Sequence, residues 1–228
     1  MRRIETSDLV GVIGRGRIST IYALSDGRAL KAYPARLRPA FAEREFRVTQ
    51  AALAAGAPSW RADELASFEG RPCIVGEHVP GETLGVKLRR SLSDAAGVAV
   101  ALADANVRIA RSALADPAAV ERNWRRETYF RGAVYGRRVM ADEGLCHGDL
   151  NVDNVMVRPD GTLVALDWAL AFYGPVVADF RRSNRSFRKA LLRNEPGKAA
   201  RSAKRAIALA HEVIVCRRMG WPIVRLGK

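Results

Sequence analysis

The chain has 228 residues, 48% of them hydrophobic, and a formal net charge of +14. That supports a real core in one compact unit or two small lobes, but is short for two independent domains. No run of about eighteen apolar residues occurs, which argues against a membrane span, and Cys73, Cys146 and Cys216 are widely spaced with no C-x-x-C pair, which argues against a disulfide framework or a zinc site. Residues 1–10 lack the apolar core of a signal peptide, so the chain reads as soluble and cytoplasmic.

In chain order, residues 9–13 and 20–24 are short β-prone runs around a glycine-bearing loop, and an Asp26-Gly27 turn leads to a third run over 28–33. The pattern predicts an antiparallel meander. A helix is expected over 39–55, stopped by Gly56 and Pro58, followed by strands over 61–68 and 72–79 joined at Glu69-Gly70. Residues 93–139 are Ala-rich and helical, with a break near Asp116-Pro117. Residues 155–157 and 163–166 form a hairpin across Pro159-Asp160-Gly161, and the remainder reads as helices. The fold class is α+β: a small antiparallel sheet with one key helix over 1–79, then a mainly helical lobe over 80–228.

The loop Gly14-Arg15-Gly16-Arg17-Ile18-Ser19 has the form G-x-G-x-x-S, in which missing Cβ atoms let backbone amides approach phosphate oxygens. A dinucleotide-binding loop opens a helix, whereas 20–24 reads as a strand, so this loop belongs in a β-hairpin. Lys31 lies on the next strand among apolar residues, where it could reach back to bound phosphates or simply face water. Phe41, Glu45, Val48, Ala52 and Ala55 share one helix face, which puts Glu45 among buried residues and gives Lys31 a partner. Glu43 is the alternative on another face.

The most specific segment is Cys146-His147-Gly148-Asp149-Leu150-Asn151-Val152-Asp153-Asn154, followed after a hairpin by Leu166-Asp167-Trp168. Phosphoryl transfer needs this set: Asp149 to orient the attacking hydroxyl and accept its proton, and Asn154 and Asp167 to hold Mg2+ against the phosphates. Asp and Asn also favour turns and helix caps, so each position has an ordinary structural use as well.

Together these motifs resemble the aminoglycoside phosphotransferase and choline kinase branch of the protein-kinase-like superfamily. Glu77-His78-Val79-Pro80-Gly81-Glu82-Thr83-Leu84 is similar to that branch's hinge. The resemblance covers about 10–179. It implies a bilobal kinase fold and an interlobe ATP site in which Gly14, Gly16, Ser19 and Lys31 meet the phosphates and the backbone at Glu77 and Val79 meets adenine. Gly148 stands where many protein kinases carry Arg, Asp167-Trp168-Ala169 replaces Asp-Phe-Gly, and no Ala-Pro-Glu follows. Control through a phosphorylated activation loop is therefore not expected.

The acceptor is less determined. Arg122, Trp124, Arg125, Arg126, Tyr129, Phe130 and Arg131 could grip an anionic or sugar-like ligand, or form a helix with aromatics inward and arginines in water. From 181 to 228, fourteen Lys and Arg face only Glu195 and Glu212, a net +12 that favours an anionic partner (nucleic acid, phospholipid, lipopolysaccharide or acidic protein) or only solubility. Arg201, Lys204 and Arg205 fall opposite Ala203, Ile207, Ala210 and Ile214, the pattern of a helix lying peripherally on a membrane. Aminoglycosides are polycations that such a charge would repel. Asp149-Leu150-Asn151 and residues 184–189 faintly resemble lipopolysaccharide-core sugar kinases, and the short basic build resembles RIO-type kinases. The expectation is an Mg-ATP-dependent kinase acting on a hydroxyl of a sugar or other small molecule; a compact protein Ser/Thr kinase and a non-catalytic nucleotide-binding scaffold are the alternatives.

Overall fold

The computed structural model describes residues 1–16, 18–120, 142–193 and 197–222. The first part is a six-stranded sheet in the order β1-β5-β6-β4-β3-β2, made of β1 (Arg2–Ile4), β2 (Leu9–Arg15), β3 (Thr20–Leu24), β4 (Arg28–Ala32), β5 (Ala62–Phe68) and β6 (Arg71–Glu77). Tight turns at Asp26-Gly27 and Glu69-Gly70 join β3 to β4 and β5 to β6, with Gly27 and Gly70 at positive φ. The sheet is mixed, which corrects the expected antiparallel one. β1 adds to its edge and pairs parallel with β5, Arg2 opposite Ala66 and Ile4 opposite Phe68. Burial of Ile4 beside Leu30, Ala66 and Val75 holds that strand in place.

Helix α1 (Pro39–Ala54) starts with proline at its first turn and stops before Gly56, whose φ of 79° only glycine adopts freely. Its inner face, Ala42, Glu45, Val48, Thr49 and Ala52, lies against the sheet. Pro58 O accepts from Ala165 N–H at 2.5 Å and Ala165 O accepts from Trp60 N–H at 3.2 Å, so the first part is hydrogen-bonded to the second.

In the second part β7 (Glu82–Thr83) pairs with β9 (Val155–Val157), which pairs with β10 (Leu163–Ala165). Helix α2 (Leu84–Leu88) is capped by Thr83, and α3 (Leu92–Ala110) by Ser91, whose hydroxyl accepts from Asp94 N–H at 3.0 Å. Helix α3 ends earlier than expected, and a short 3-10 turn occupies 117–119. The Arg122 to Arg131 cluster lies outside the described residues. The segments before and after the β9–β10 hairpin hold a further strand pair that the sequence reading missed, β8 (Glu143–Cys146) antiparallel to β11 (Phe172–Pro175). Helices α4 (Val176–Leu192) and α5 (Lys198–Met219) complete the packing, and α3, α4 and α5 contact one another. The inner face of α5 runs through Ala208, His211, Glu212, Val215 and Cys216, while Ala210 is exposed and Lys204 half-buried, so its expected facing is corrected by a rotation. No helix among the described residues is long and apolar enough to cross a membrane.

Candidate active site

Strand β4 pairs with both β3 and β6, so Lys31 sits at the centre of the sheet, 7% exposed. The Lys31 ammonium donates to Glu45 Oε1 and, at 3.2 Å, to Asp167 Oδ1. Glu45 is fully buried on α1, and its other oxygen accepts from the Tyr33 hydroxyl at 2.7 Å. Glu43 is exposed, which leaves the pair to Glu45. Burial works against the charged ammonium, but the Glu45 and Asp167 carboxylates more than offset it, and the Lys31 pKa lies above the ordinary lysine value. Burial, then the Glu45 charge, pushes the Tyr33 hydroxyl well above its usual range. Three elements distant in sequence are thus tied by one cation.

Asp167 follows β10 in the left-handed region, φ 62° and ψ 65°. Aspartate tolerates that region better than most side chains. The backbone turn brings its carboxylate to Lys31, while Trp168 is buried behind it against the His147 ring at 4.6 Å. The segment from Asp167 to the start of α4 is only a 3-10 turn and β11. Arg44, one residue before Glu45, donates to the carbonyls of Ala169 and Ala171 and fastens this segment to α1.

The loop over 147–154 is held from both sides. Buried His147 carries the proton on Nε2, which donates to Leu166 O at 2.8 Å, while Nδ1 accepts from Asp149 N–H at 3.3 Å. Burial keeps its pKa below the ordinary histidine value against the nearby Asp179 charge. Asp179, in the first turn of α4, accepts from the backbone N–H groups of His147 at 2.7 Å and Gly148 at 2.8 Å. Gly148 has φ 78°, which only glycine adopts without strain. Asn154 donates from its amide nitrogen to Asp149 O at 3.0 Å, which leaves its oxygen for another partner. Asp149 is 36% exposed at its side chain, and its Oδ1 accepts from Arg182 Nε at 3.1 Å and Nη2 at 2.7 Å.

Among the described residues, Asp167 has one carboxylate oxygen on Lys31 and the other without a partner, and the Asn154 amide oxygen is likewise uncommitted. Such oxygens suit a hard divalent cation. Among the described residues no three His, Cys, Asp or Glu side chains form a cage, so a cation here would rely on phosphate and water oxygens as well.

At the loop after β2, Gly16 N–H donates to Ser19 O at 2.9 Å. A Cβ on Gly14 or Gly16 would meet only ordinary contacts at 3.4 Å, and neither has positive φ. The fold itself therefore does not require these glycines, whereas a phosphate approaching the backbone would. The Glu77 carboxylate is committed to Arg158 at 2.6 Å and to Arg61 N–H at 2.9 Å, so only backbone groups at Glu77 and Val79 could serve a base. Asp179 and Arg182 were absent from the sequence reading of the site. The available signal was an Asp in the first turn of a helix with an Arg one turn on.

Residues 133–192 match the family model described as "Phosphotransferase enzyme family". No curated protein matches the sequence. The fold is similar to the aminoglycoside phosphotransferase APH(3'')-Id of Streptomyces rimosus, with 16% identity and TM-score 0.54 over 91% of this chain and 84% of that one. The aminoglycoside phosphotransferase of Alicyclobacillus acidocaldarius gives 13% identity and TM-score 0.54 over 93% and 78% of the two chains. The PknI kinase domain of Mycobacterium tuberculosis gives 16% identity and TM-score 0.54 over 91% and 84%. The fold is kinase-like, as in these enzymes, and the family match falls on the segment that carries Asp149 and Asp167.

Proposed function

We propose that the protein transfers the γ-phosphoryl group of ATP to a hydroxyl of a sugar or other small molecule. The observation that carries this reading is Lys31 bound at once to Glu45 and Asp167, beside a loop that presents Asp149 and Asn154. In support, one similar structure holds streptomycin and ATP together and another holds ADP and streptomycin. ATP would lie between a lobe over 1–79 and one over 80–228, with the backbone of Glu77 and Val79 on adenine. The amides at Gly14, Gly16 and Ser19 and the Lys31 ammonium would take the phosphates. Mg2+ held by Asn154 and Asp167 would neutralise phosphate charge.

Asp149 orients the acceptor hydroxyl and takes its proton as the new oxygen–phosphorus bond forms and the bond to the β,γ-bridging oxygen breaks, leaving ADP. Glu45 keeps Lys31 charged and fixed in direction. Use of ATP would suit a place in the cytoplasm.

Labelled ATP incubated with the protein, a panel of hydroxyl metabolites and, separately, a protein lysate tests the reading. A labelled metabolite is expected; label only in proteins would favour a protein kinase, and none anywhere a scaffold. Asp149→Asn should lower kcat by about two to four orders of magnitude with Mg-ATP affinity nearly intact. Asp167→Ala should weaken Mg-ATP binding itself, and equal nucleotide affinity by calorimetry would refute the metal role.

A further inference from the structure

We infer that the acceptor is itself an anion, a small hydroxyl compound bearing a phosphate or similar group, and that Arg182, Arg185 and Lys189 on α4 hold that group. The inference rests on Asp149 being the base. Arg182 reaches Asp149 from α4 with two of its nitrogens on a single carboxylate oxygen, and its third nitrogen, Nη1, has no hydrogen bond among the described residues. The guanidinium is 40% exposed at the side chain, so it borders both the base and solvent. Arg185 and Lys189 follow three and seven residues later, and at 3.6 residues per turn they stand on the same side of α4 as Arg182. Seven residues of helix carry the row about 10 Å from the proposed base. Both side chains are exposed, and among the described residues neither has a carboxylate partner.

The sequence of α4 removes the usual neutralising neighbours. Its one acidic residue, Asp179, is buried and committed to the His147 and Gly148 amides. A helix that merely stays soluble gains from mixed charge and i,i+4 ion pairs. This one presents cations alone, in a row that begins at the catalytic carboxylate. Forked guanidinium donors and an ammonium suit the geometry and charge of a phosphate group. A polycationic acceptor would meet repulsion at the same place. Two-point attachment, hydroxyl at Asp149 and anion along α4, would also fix which hydroxyl reacts.

Two measurements on the whole protein test this. In the first, a non-hydrolysable ATP analogue with magnesium fills the nucleotide site, and inorganic phosphate is titrated by calorimetry into the parent and into Arg185→Gln/Lys189→Gln. Binding by the parent, weakened at least tenfold in the double variant, is expected. Equal binding by both proteins, or none by either, overturns the inference. In the second, sugars, their monophosphates and amino sugars are compared as acceptors. A kcat/KM at least tenfold higher for monophosphates is expected, with the double variant raising the acceptor KM by a similar factor. Turnover that favours neutral or amine-bearing acceptors overturns the anionic acceptor but leaves the phosphotransferase reading intact. Turnover insensitive to Asp149→Asn would instead remove the reading beneath it. If no compound in the panel turns over, the phosphate titration decides.

Discussion

At the scale of single residues, the buried ion pair of Lys31 and Glu45 is the most consequential contact. Removing one partner leaves the other charged and buried, so each single alanine should cost activity heavily. Lys31→Ala/Glu45→Ala should cost little more than the worse single change, with a coupling of about 1–3 kcal/mol in kcat/KM for ATP. Additive losses would mean that the two act separately. This pair was legible because the spacing from Phe41 to Ala55 placed Glu45 on an apolar face, where an unpaired carboxylate is untenable. The closeness of Asp149, Asn154 and Asp167 was legible for a different reason, since short spacings around one loop and hairpin fix it. Arg182 was not, because it meets Asp149 across 33 residues of chain and nothing local reports the rotation of α4 against that loop.

At the scale of elements, the contact of Arg44 with the carbonyls of Ala169 and Ala171 ties α1 to the segment after Asp167. Hydrogen bonds from a charged donor contribute about 1.5–3 kcal/mol. Arg44→Ala should therefore lower the Tm by roughly 3–10 °C and raise the KM for Mg-ATP, because Asp167 loses its support. Unchanged melting and KM would show that the Lys31 link suffices to hold α1. Strong elements such as α1 and the β5–β6 hairpin were readable from apolar periodicity and turn residues. Strands β1, β8 and β11 span only three or four residues each, too short to show alternation. The facing of α5 was misjudged because alanine, common in this helix, is equally at home on either side.

At the scale of the whole molecule, two of the three histidines tie stability to pH. Burial lowers the His211 pKa to about 3 and also lowers that of His147. Both sit below the unfolded value of 6.5, so the unfolded chain binds more protons as pH drops. Their contribution is complete above pH 6.5 and is lost as pH falls toward the folded values. For His211 the slope approaches about 1.4 kcal/mol per pH unit. Calorimetric Tm values between pH 7.5 and 5 should fall accordingly, and His211→Gln should flatten the slope; an identical slope in that variant would exclude His211 as a source.

The order of the large sheet has a consequence for how copies of the protein behave toward one another. A sheet ends in two rows of unpaired backbone groups, each a template for strand addition by a second molecule. One end is β1, which is three residues long and carries Arg2 and Arg3. The other is β2, which leaves Val10, Val12 and Ile13 in solvent but is broken by register shifts between Leu9 and Gly11 and between Val12 and Gly14. A short charged edge and an irregular one both spoil the ladder that an incoming strand would need. The irregular backbone that leads into the glycine loop thus also guards this sheet against edge-to-edge aggregation.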